Sequence, residues 1–415
     1  MQNKLTLTPF FTDILLDNYM GIYYDNRRND CQLKLGGTMY IERSLNLVSV
    51  LKKKSCFLFG PRQTGKTSLI RHSLAEYRLY NLLDPETYLK LSRTPARLRE
   101  ECRPKDKIII IDEIQKLPSL LDEVHFLIEE KGIHFLLTGS GARKLRRGGV
   151  NLLGGRAWTR HLQPLTSAEL GNRFDLVKAL NHGLLPAIYF SNSLEDDLEA
   201  YVGTYLREEI AAEALTRNIP AFSRFLEIAA LCNGQLLNYA KISNDAQVAR
   251  STVQEYFQIL KDTLIAYELT PWKQSFKRKP LSTSKLYFFD CGIARYLQKR
   301  SVVRAGSPEF GELLETFIFH ELMAYCDYHG ALTLNYWRSK SGYEVDFILD
   351  SKTAIEIKAT KTVSAQDMKG LRMLKEEGHL RRYILVCMEK TQRDIDGIEI
   401  LPVDIFLKKL WAGKT

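Results

Sequence analysis

Two sets of residues have the types and spacing to do chemistry. The first is Gly60-Pro61-Arg62-Gln63-Thr64-Gly65-Lys66-Thr67-Ser68, preceded by the apolar run Cys56–Phe59 and followed by a helical apolar rhythm. Strand, glycine-bearing loop and helix in that order make a phosphate cradle. The glycines let backbone N–H groups across 60–68 wrap a phosphate, and the helix N-terminus adds positive potential. Lys66 is expected to reach the β- and γ-phosphates of a nucleotide and Thr67 to hold Mg2+. The second set lies in EVDFILDSKTAIEIK, from Glu344 to Lys358. The strand period of two puts Glu356 and Lys358 on one face, with Ile355 and Ile357 on the other. Asp346 falls on the neighbouring strand, within cross-strand reach. Two carboxylates can hold a hard divalent cation. Such a cation lowers the pKa of a bound water and polarises a scissile phosphate, with Lys358 orienting the water or stabilising developing charge. The plain alternative is a solvated strand pair in a chain with 26% charged residues.

The elements around the cradle extend its chemistry. In KIIIIDEIQKLP, Ile108–Ile111 read as a buried parallel strand. Asp112 then sits at its carboxyl end, where α/β sheets place ligand groups, and is expected to reach Mg2+ through water. Glu113 follows directly and takes the role of base toward an attacking water. A further strand, IHFLLTGS, ends at Thr138, Gly139 and Ser140, and Ser140 is the candidate γ-phosphate sensor. NLLGGRAW supplies Arg156 after a glycine pair. That arginine could stabilise transition-state charge, in cis or across a homo-oligomer interface, or it could pair with a carboxylate.

GPRQTGKTSL, IIDEIQKLP, LLTGS and the LGGR element resemble the AAA-like ATPases of bacteria and archaea, close to the archaeal and STAND-type P-loop ATPases. The resemblance runs from Met39 through nearly the whole chain. It implies ATP binding and hydrolysis on a five-stranded parallel core, and a C-terminal domain of unknown function. It supplies no substrate.

Beyond the nucleotide segment, Glu169 to about Ile219 reads as a helical lid interrupted at Gly183–Pro186, with YLREEIAAEALTRN (Tyr205–Asn218) as an amphipathic helix. Three helices follow, the third capped by Ser251 with Gln254 in a capping box. Strands Ile265–Leu269 and Lys285–Phe289 would then form a wing around KQSFKRKP. In a winged helix, Arg250, Ser251, Gln254 and Gln258 would meet DNA bases, and Lys277–Lys279 would meet phosphates. Glu255 on the same helix leaves a packing or protein-contact role open.

After a linker at Arg304–Pro308 come the helix Gly311–Gly330, strands TLNYWR, YEVDFILD and TAIEIKAT, a helix from an N-cap at Ser364 to Gly378, and the strand RYILVCM. This αβββαβ order resembles the core of the PD-(D/E)xK nuclease superfamily. The motif falls on Asp346, Glu356 and Lys358, and the resemblance brings in Glu315 from the leading helix to complete the metal shell. Members can keep the fold and lose the activity.

Composition sets the outer bounds. The 415 residues suffice for two or three domains. The net charge of +10 permits nucleic-acid partners. Seven cysteines, scattered singly, read as reduced thiols in a cytoplasm. The sequence shows neither a membrane span nor a secretory signal. Residues 1–38 read as an extension or as a mis-called start, with Gly36-Gly37-Thr38 as the translation of a ribosome-binding site ahead of Met39. The expected fold class is α/β: a P-loop NTPase parallel sheet over 39–168, a helical lid and winged helix over 169–304, and a C-terminal α/β restriction-endonuclease-like domain over 305–415. The expected function is an ATPase whose nucleotide state controls a nucleic-acid-acting, nuclease-like module. The alternatives are a regulatory ATPase that binds DNA or a protein partner without cutting, and a scaffold that barely hydrolyses ATP.

Overall fold

The computed structural model describes residues 34–35, 38–141, 143, 145, 153–206, 218–275, 277–330 and 332–415. Two compact units are present, Met1–Glu42 and Arg43–Thr415. In the first, the two-residue strands Lys34–Leu35 and Thr38–Met39 pair antiparallel. Gly36, Gly37, residues 207–217 of the expected amphipathic helix and most of the Arg143–Arg147 basic cluster lie outside the described residues.

The second unit begins with a parallel sheet. Strands β1 (Ser55–Phe59), β2 (Arg78–Asn81), β3 (Ile108–Asp112), β4 (His134–Gly139) and β5 (Ala157–His161) lie in the order β2-β3-β4-β1-β5, all parallel. Both faces are covered, so apolar residues run continuously along the central strands rather than alternating. Phe57, Phe59, Ile109, Ile111, Phe135 and Leu137 face one core; Cys56, Leu58, Ile108, Ile110 and Leu136 face the other. Helix α1 (Lys66–Ser73) leaves the β1 loop, and α2 (Leu120–Lys131) ends at Gly132 with a left-handed φ of 61°.

Next, the short helix α3 (Leu176–His182) precedes α4 (Ile219–Leu231), α5 (Tyr239–Ala246) and α6 (Arg250–Asp262). An antiparallel pair, β6 (Ala266–Leu269) and β7 (Lys285–Phe288), follows, and then α7 (Cys291–Leu297). The α6 positions Val253, Phe257 and Leu260 are buried as their helical spacing requires, and Arg250, Ser251, Gln254 and Gln258 are exposed. Ser251 does not cap α6: the helix starts one residue earlier, with Ala249 at the N-cap.

The C-terminal segment opens with the long helix α8 (Pro308–Tyr328). Strands β8 (Leu334–Arg338), β9 (Glu344–Leu349) and β10 (Thr353–Ile357) come next, then α9 (Lys369–Lys375) and β11 (Arg382–Cys387). This is the αβββαβ order. Two further strands and a helix extend it: β12 (Arg393–Ile395), β13 (Ile398–Pro402) and α10 (Val403–Trp411). The sheet order is β8-β9-β10-β11-β13-β12, with β10, β11 and β13 mutually parallel. Helix α9 is shorter than expected because Ser364 is not its cap; Ser364 instead turns on the Asp367 carboxylate.

The expected wing is tied down onto the C-terminal segment, although Lys277 and Lys279 stay exposed. Lys277 N–H donates to Glu377 (2.9 Å), and Arg278 pairs with Glu376 and, at 3.5 Å, with Glu377. Arg278, assigned to DNA phosphates by its charge, is drawn down by two acids at the end of α9, and the Lys277 ammonium reaches the Glu376 main-chain carbonyl. The main chain is held as well: Trp272 N–H donates to Tyr336 (2.7 Å) and Leu281 N–H to Arg338 (2.9 Å), both on β8.

Candidate nucleotide site and acidic cluster

The loop after β1 has the backbone a phosphate cradle needs. Gly65 takes φ +92°, in the left-handed region that glycine adopts without a Cβ penalty. Gly60 passes so close to the chain after β5 that a Cβ would lie 2.5 Å from the Leu162 carbonyl oxygen. The Lys66 ammonium folds over the loop, donating to the carbonyls of Gly60 (2.6 Å) and Pro61 (2.9 Å), and the Thr64 hydroxyl donates to Pro61 (2.9 Å). Arg62, Gln63, Thr67 and Ser68 are exposed around the helix N-terminus. Wrapped backbone, a lysine on neutral carbonyls and an exposed hydroxyl at the head of α1 fit a nucleotide polyphosphate.

At the end of β3 the Asp112 carboxylate is buried and accepts from the Thr138 hydroxyl, which also accepts from the Glu113 N–H (3.3 Å). Glu113 takes φ +62°, uncommon for a residue with a side chain and typical of strained functional positions. Gln115, not singled out in the sequence, donates to the Glu113 carboxylate and packs against Gly139, where a Cβ would sit 2.4 Å from its Oε1. Thr138 therefore holds the acid, and Ser140, two residues on, is buried. Arg156 donates to Glu129 on α2, so of its two expected uses the structure shows pairing with a carboxylate.

Arg43 joins the loop to the rest of the unit, and nothing in its sequence context marks it. Its buried guanidinium donates to the carbonyls of Thr64 (2.6 Å) in the phosphate loop and Gln163 (2.6 Å) after β5. It also pairs with Glu169 (3.1 Å) and reaches the Tyr328 hydroxyl on α8 (3.4 Å). Burial alone would lower its pKa, yet Glu169 and Tyr328 bring it out raised. Helix α8 is tied along the same segment. His320 Nε2 donates to Leu165 O (2.9 Å), and Glu321 accepts from the Ser167 N–H and hydroxyl and from the Trp411 indole. Burial pushes the Glu321 carboxyl up to about 7 and the His320 imidazole down to about 4, so both favour their neutral forms.

The other end of α8 carries Glu315. There Glu315, Asp346, Glu356 and Lys358 do converge, joined by Glu344 and Lys285. Strand pairing between β9 and β10 stops at Phe347↔Ile355, and just beyond it Asp346 accepts from the Ile357 N–H (2.8 Å). Lys358 donates to Glu356 (2.5 Å). Lys285, the first residue of β7, lies 2.5 Å from Glu344, 3.2 Å from Glu315 and 3.8 Å from Asp346. Tyr287 donates to Glu315 (2.5 Å), and Arg338 pairs with Glu344 (3.2 Å). Burial and Asp346 push Glu356 well above the carboxylate range despite Lys358. Burial opposes the charge on Lys285, but Glu315, Asp346 and Glu344 outweigh it and raise its pKa.

The fit of this cluster to a divalent cation is poor. Hard cations take six or more oxygens at about 2.0–2.6 Å. Here the carboxylates turn to ammonium, guanidinium, hydroxyl and amide donors, although one acceptor, Glu356 Oε2, is buried without a hydrogen-bond partner. Among the described residues no group of three or more His, Cys, Asp or Glu is arranged to hold a metal ion. Asp346, Glu356 and Glu315, expected as metal ligands, are partners of lysines.

Comparison with known proteins bears on the two regions unequally. Residues 173–303 and 310–406 match two domains of unknown function, DUF8612 and DUF4143. Uncharacterized proteins of Mycobacterium bovis and Mycobacterium tuberculosis are each 27% identical over 321 residues, 74% of this chain and 70% of theirs. Among solved structures, a replication initiator DnaA bound to AMPPCP and single-stranded DNA is 14% identical with a TM-score of 0.28, covering 54% of this chain and 90% of that one. A STAND protein with a tetratricopeptide repeat sensor from Pyrococcus horikoshii is 16% identical with a TM-score of 0.23, covering 69% of this chain and 47% of that one. Among the described residues no helix is long and apolar enough to cross a membrane. Residues 52–171 match the family model of an AAA domain, and with the loop geometry above they form an AAA-type P-loop ATPase domain.

Proposed function

We propose that the chain is an ATP-hydrolysing switch that passes the state of its phosphate loop to the C-terminal segment, which binds DNA or a protein partner without cutting it. The observation that carries this reading is Arg43. One buried side chain joins the Thr64 carbonyl of the loop to Tyr328 at the end of α8. Glu315, in the acidic cluster, lies on the same helix, about 20 Å away at 1.5 Å per residue.

In this reading the loop amides of Gly60–Ser68 and the Lys66 ammonium bind the polyphosphate. Lys66 exchanges the Gly60 and Pro61 carbonyls for phosphate oxygens, which are stronger acceptors. Thr67 and Asp112 hold Mg2+, which neutralises phosphate charge when bound. Glu113, held by Gln115, orients and deprotonates the attacking water, and Ser140 senses the γ-phosphate. Arg156 serves hydrolysis after leaving Glu129, in cis or across a homo-oligomer interface. Moving the loop shifts the Thr64 carbonyl, and the Arg43 network transmits that shift to α8, a two-state switch of the nucleotide-driven kind.

The test is ATP turnover by the purified chain. Loss of turnover in Lys66→Ala and Glu113→Gln supports the assignment; turnover that survives Lys66→Ala overturns it. Phosphodiester cleavage by the C-terminal segment is a second reading, favoured by the buried, unpartnered Glu356 Oε2 acceptor beside Lys358. Plasmid nicking that is lost on both Asp346→Ala and Lys358→Ala would support it.

A further inference from the structure

The acidic cluster already contains a cation. The Lys285 side chain is 5% exposed, and its Nζ sits among Glu344, Glu315 and Asp346 at 2.5, 3.2 and 3.8 Å. Those carboxylates come from α8 and β9, whereas the lysine comes from β7 of the preceding hairpin. Carboxylates gathered in a buried site repel one another unless a positive charge stands between them. An ammonium supplies that charge with hydrogen bonds, and it holds the oxygens at donor distances rather than at the shorter, more crowded distances of a divalent ion.

We propose that Lys285 is the resident cation of this cluster, closing it to divalent metal and clasping the hairpin to the C-terminal sheet. The rest of the hairpin supports the assignment. On the approach to Lys285, Trp272 and Leu281 are bonded to β8 through the main chain, and Lys277 and Arg278 are tied to Glu376 and Glu377. Beyond Lys285, Tyr287 bonds Glu315. These contacts fix the backbone that carries Lys285, and withdrawing the ammonium breaks its own pairs with Glu344 and Glu315 inside a buried site, so the lysine is not a side chain that yields readily to an ion. The proposal does not depend on ATP turnover.

Bound Mn2+ counted by electron paramagnetic resonance on the nucleotide-free full chain tests it. Wild type, Lys285→Met, Asp346→Asn and the double variant are compared, with circular dichroism as the check on folding. Wild type is expected to bind no Mn2+ that Asp346→Asn removes. Lys285→Met is expected to gain an Asp346-dependent Mn2+, and added Mn2+ should raise its Tm while leaving that of wild type unchanged. Asp346-dependent Mn2+ in wild type overturns the proposal, as does a folded Lys285→Met that gains none. If Lys285→Met does not fold, the wild-type comparison with Asp346→Asn decides alone: dependence on Asp346 overturns the proposal, and its absence supports it.

Discussion

Two buried lysines in this molecule are held in opposite ways. Lys66 rests on the carbonyls of Gly60 and Pro61, neutral acceptors on its own loop. Lys285 is held by carboxylates from elements distant in sequence. A lysine on neutral acceptors gains by moving to a phosphate, since a charged acceptor forms a stronger bond. A lysine among carboxylates loses by moving, because it leaves buried negative charge behind. The difference separates a side chain poised for a ligand from one that has become part of the fold, although both sit beside residues with catalytic spacing.

The contrast can be broken most forcefully at the two lysines themselves. Lys66→Ala should lower ATP turnover by about a hundredfold or more, the scale set by removing one donor to developing charge. Its effect on thermal stability should be the smaller of the two, because the Gly60 and Pro61 carbonyls it releases are neutral. Lys285→Met should do the reverse. Turnover should change little, while denaturant unfolding should show a loss of about 3–5 kcal/mol, the usual cost of leaving one side of a buried pair.

The middle of α8 gives the next largest effect and sharpens the comparison with pH. Glu321 has its pKa raised from 4.5 to about 7, so the stability it contributes is present below the lower value and lost as pH rises through the higher one. The span is worth roughly 3.5 kcal/mol at about 1.4 kcal/mol per pH unit. His320 has its pKa lowered from 6.5 to about 4, so its contribution is present above the first value and lost as pH falls toward the second. Unfolding curves across that range should therefore tilt one way in Glu321→Gln and the opposite way in His320→Gln. The smallest effect is expected at the hairpin. Arg278→Ala should cost about 1 kcal/mol or less, as partly exposed pairs do. It should also leave DNA affinity unchanged, because Arg278 pairs with Glu376 and Glu377 and does not face solvent as a wing would.

What was legible in the sequence was local. Continuous apolar runs announced Ser55–Phe59 and Ile108–Asp112, strand alternation announced Glu344–Leu349 and Thr353–Ile357, and the glycine loop carried its own spacing. Apolar period also marked the buried side of α6 correctly. What was illegible was every contact made across long stretches of chain. Arg43 is a lone arginine ahead of the loop, and only the folded chain brings it to Thr64, Glu169 and Tyr328. Lys285 read as the start of a wing strand, and Lys277 and Arg278 as phosphate contacts. Their acidic partners lie far along the sequence, where no periodicity connects them. Strands β12 and β13 were missed because RDI and IEILP are short and give little alternation.

Hydrogen–deuterium exchange with and without a non-hydrolysable ATP analogue tests the coupling most directly. Binding should protect the backbone amides of residues 60–68 and also those of Pro308–Tyr328, and Arg43→Ala should abolish the second effect while retaining the first. Protection confined to the phosphate loop in the wild-type chain, with α8 unchanged, would contradict the account.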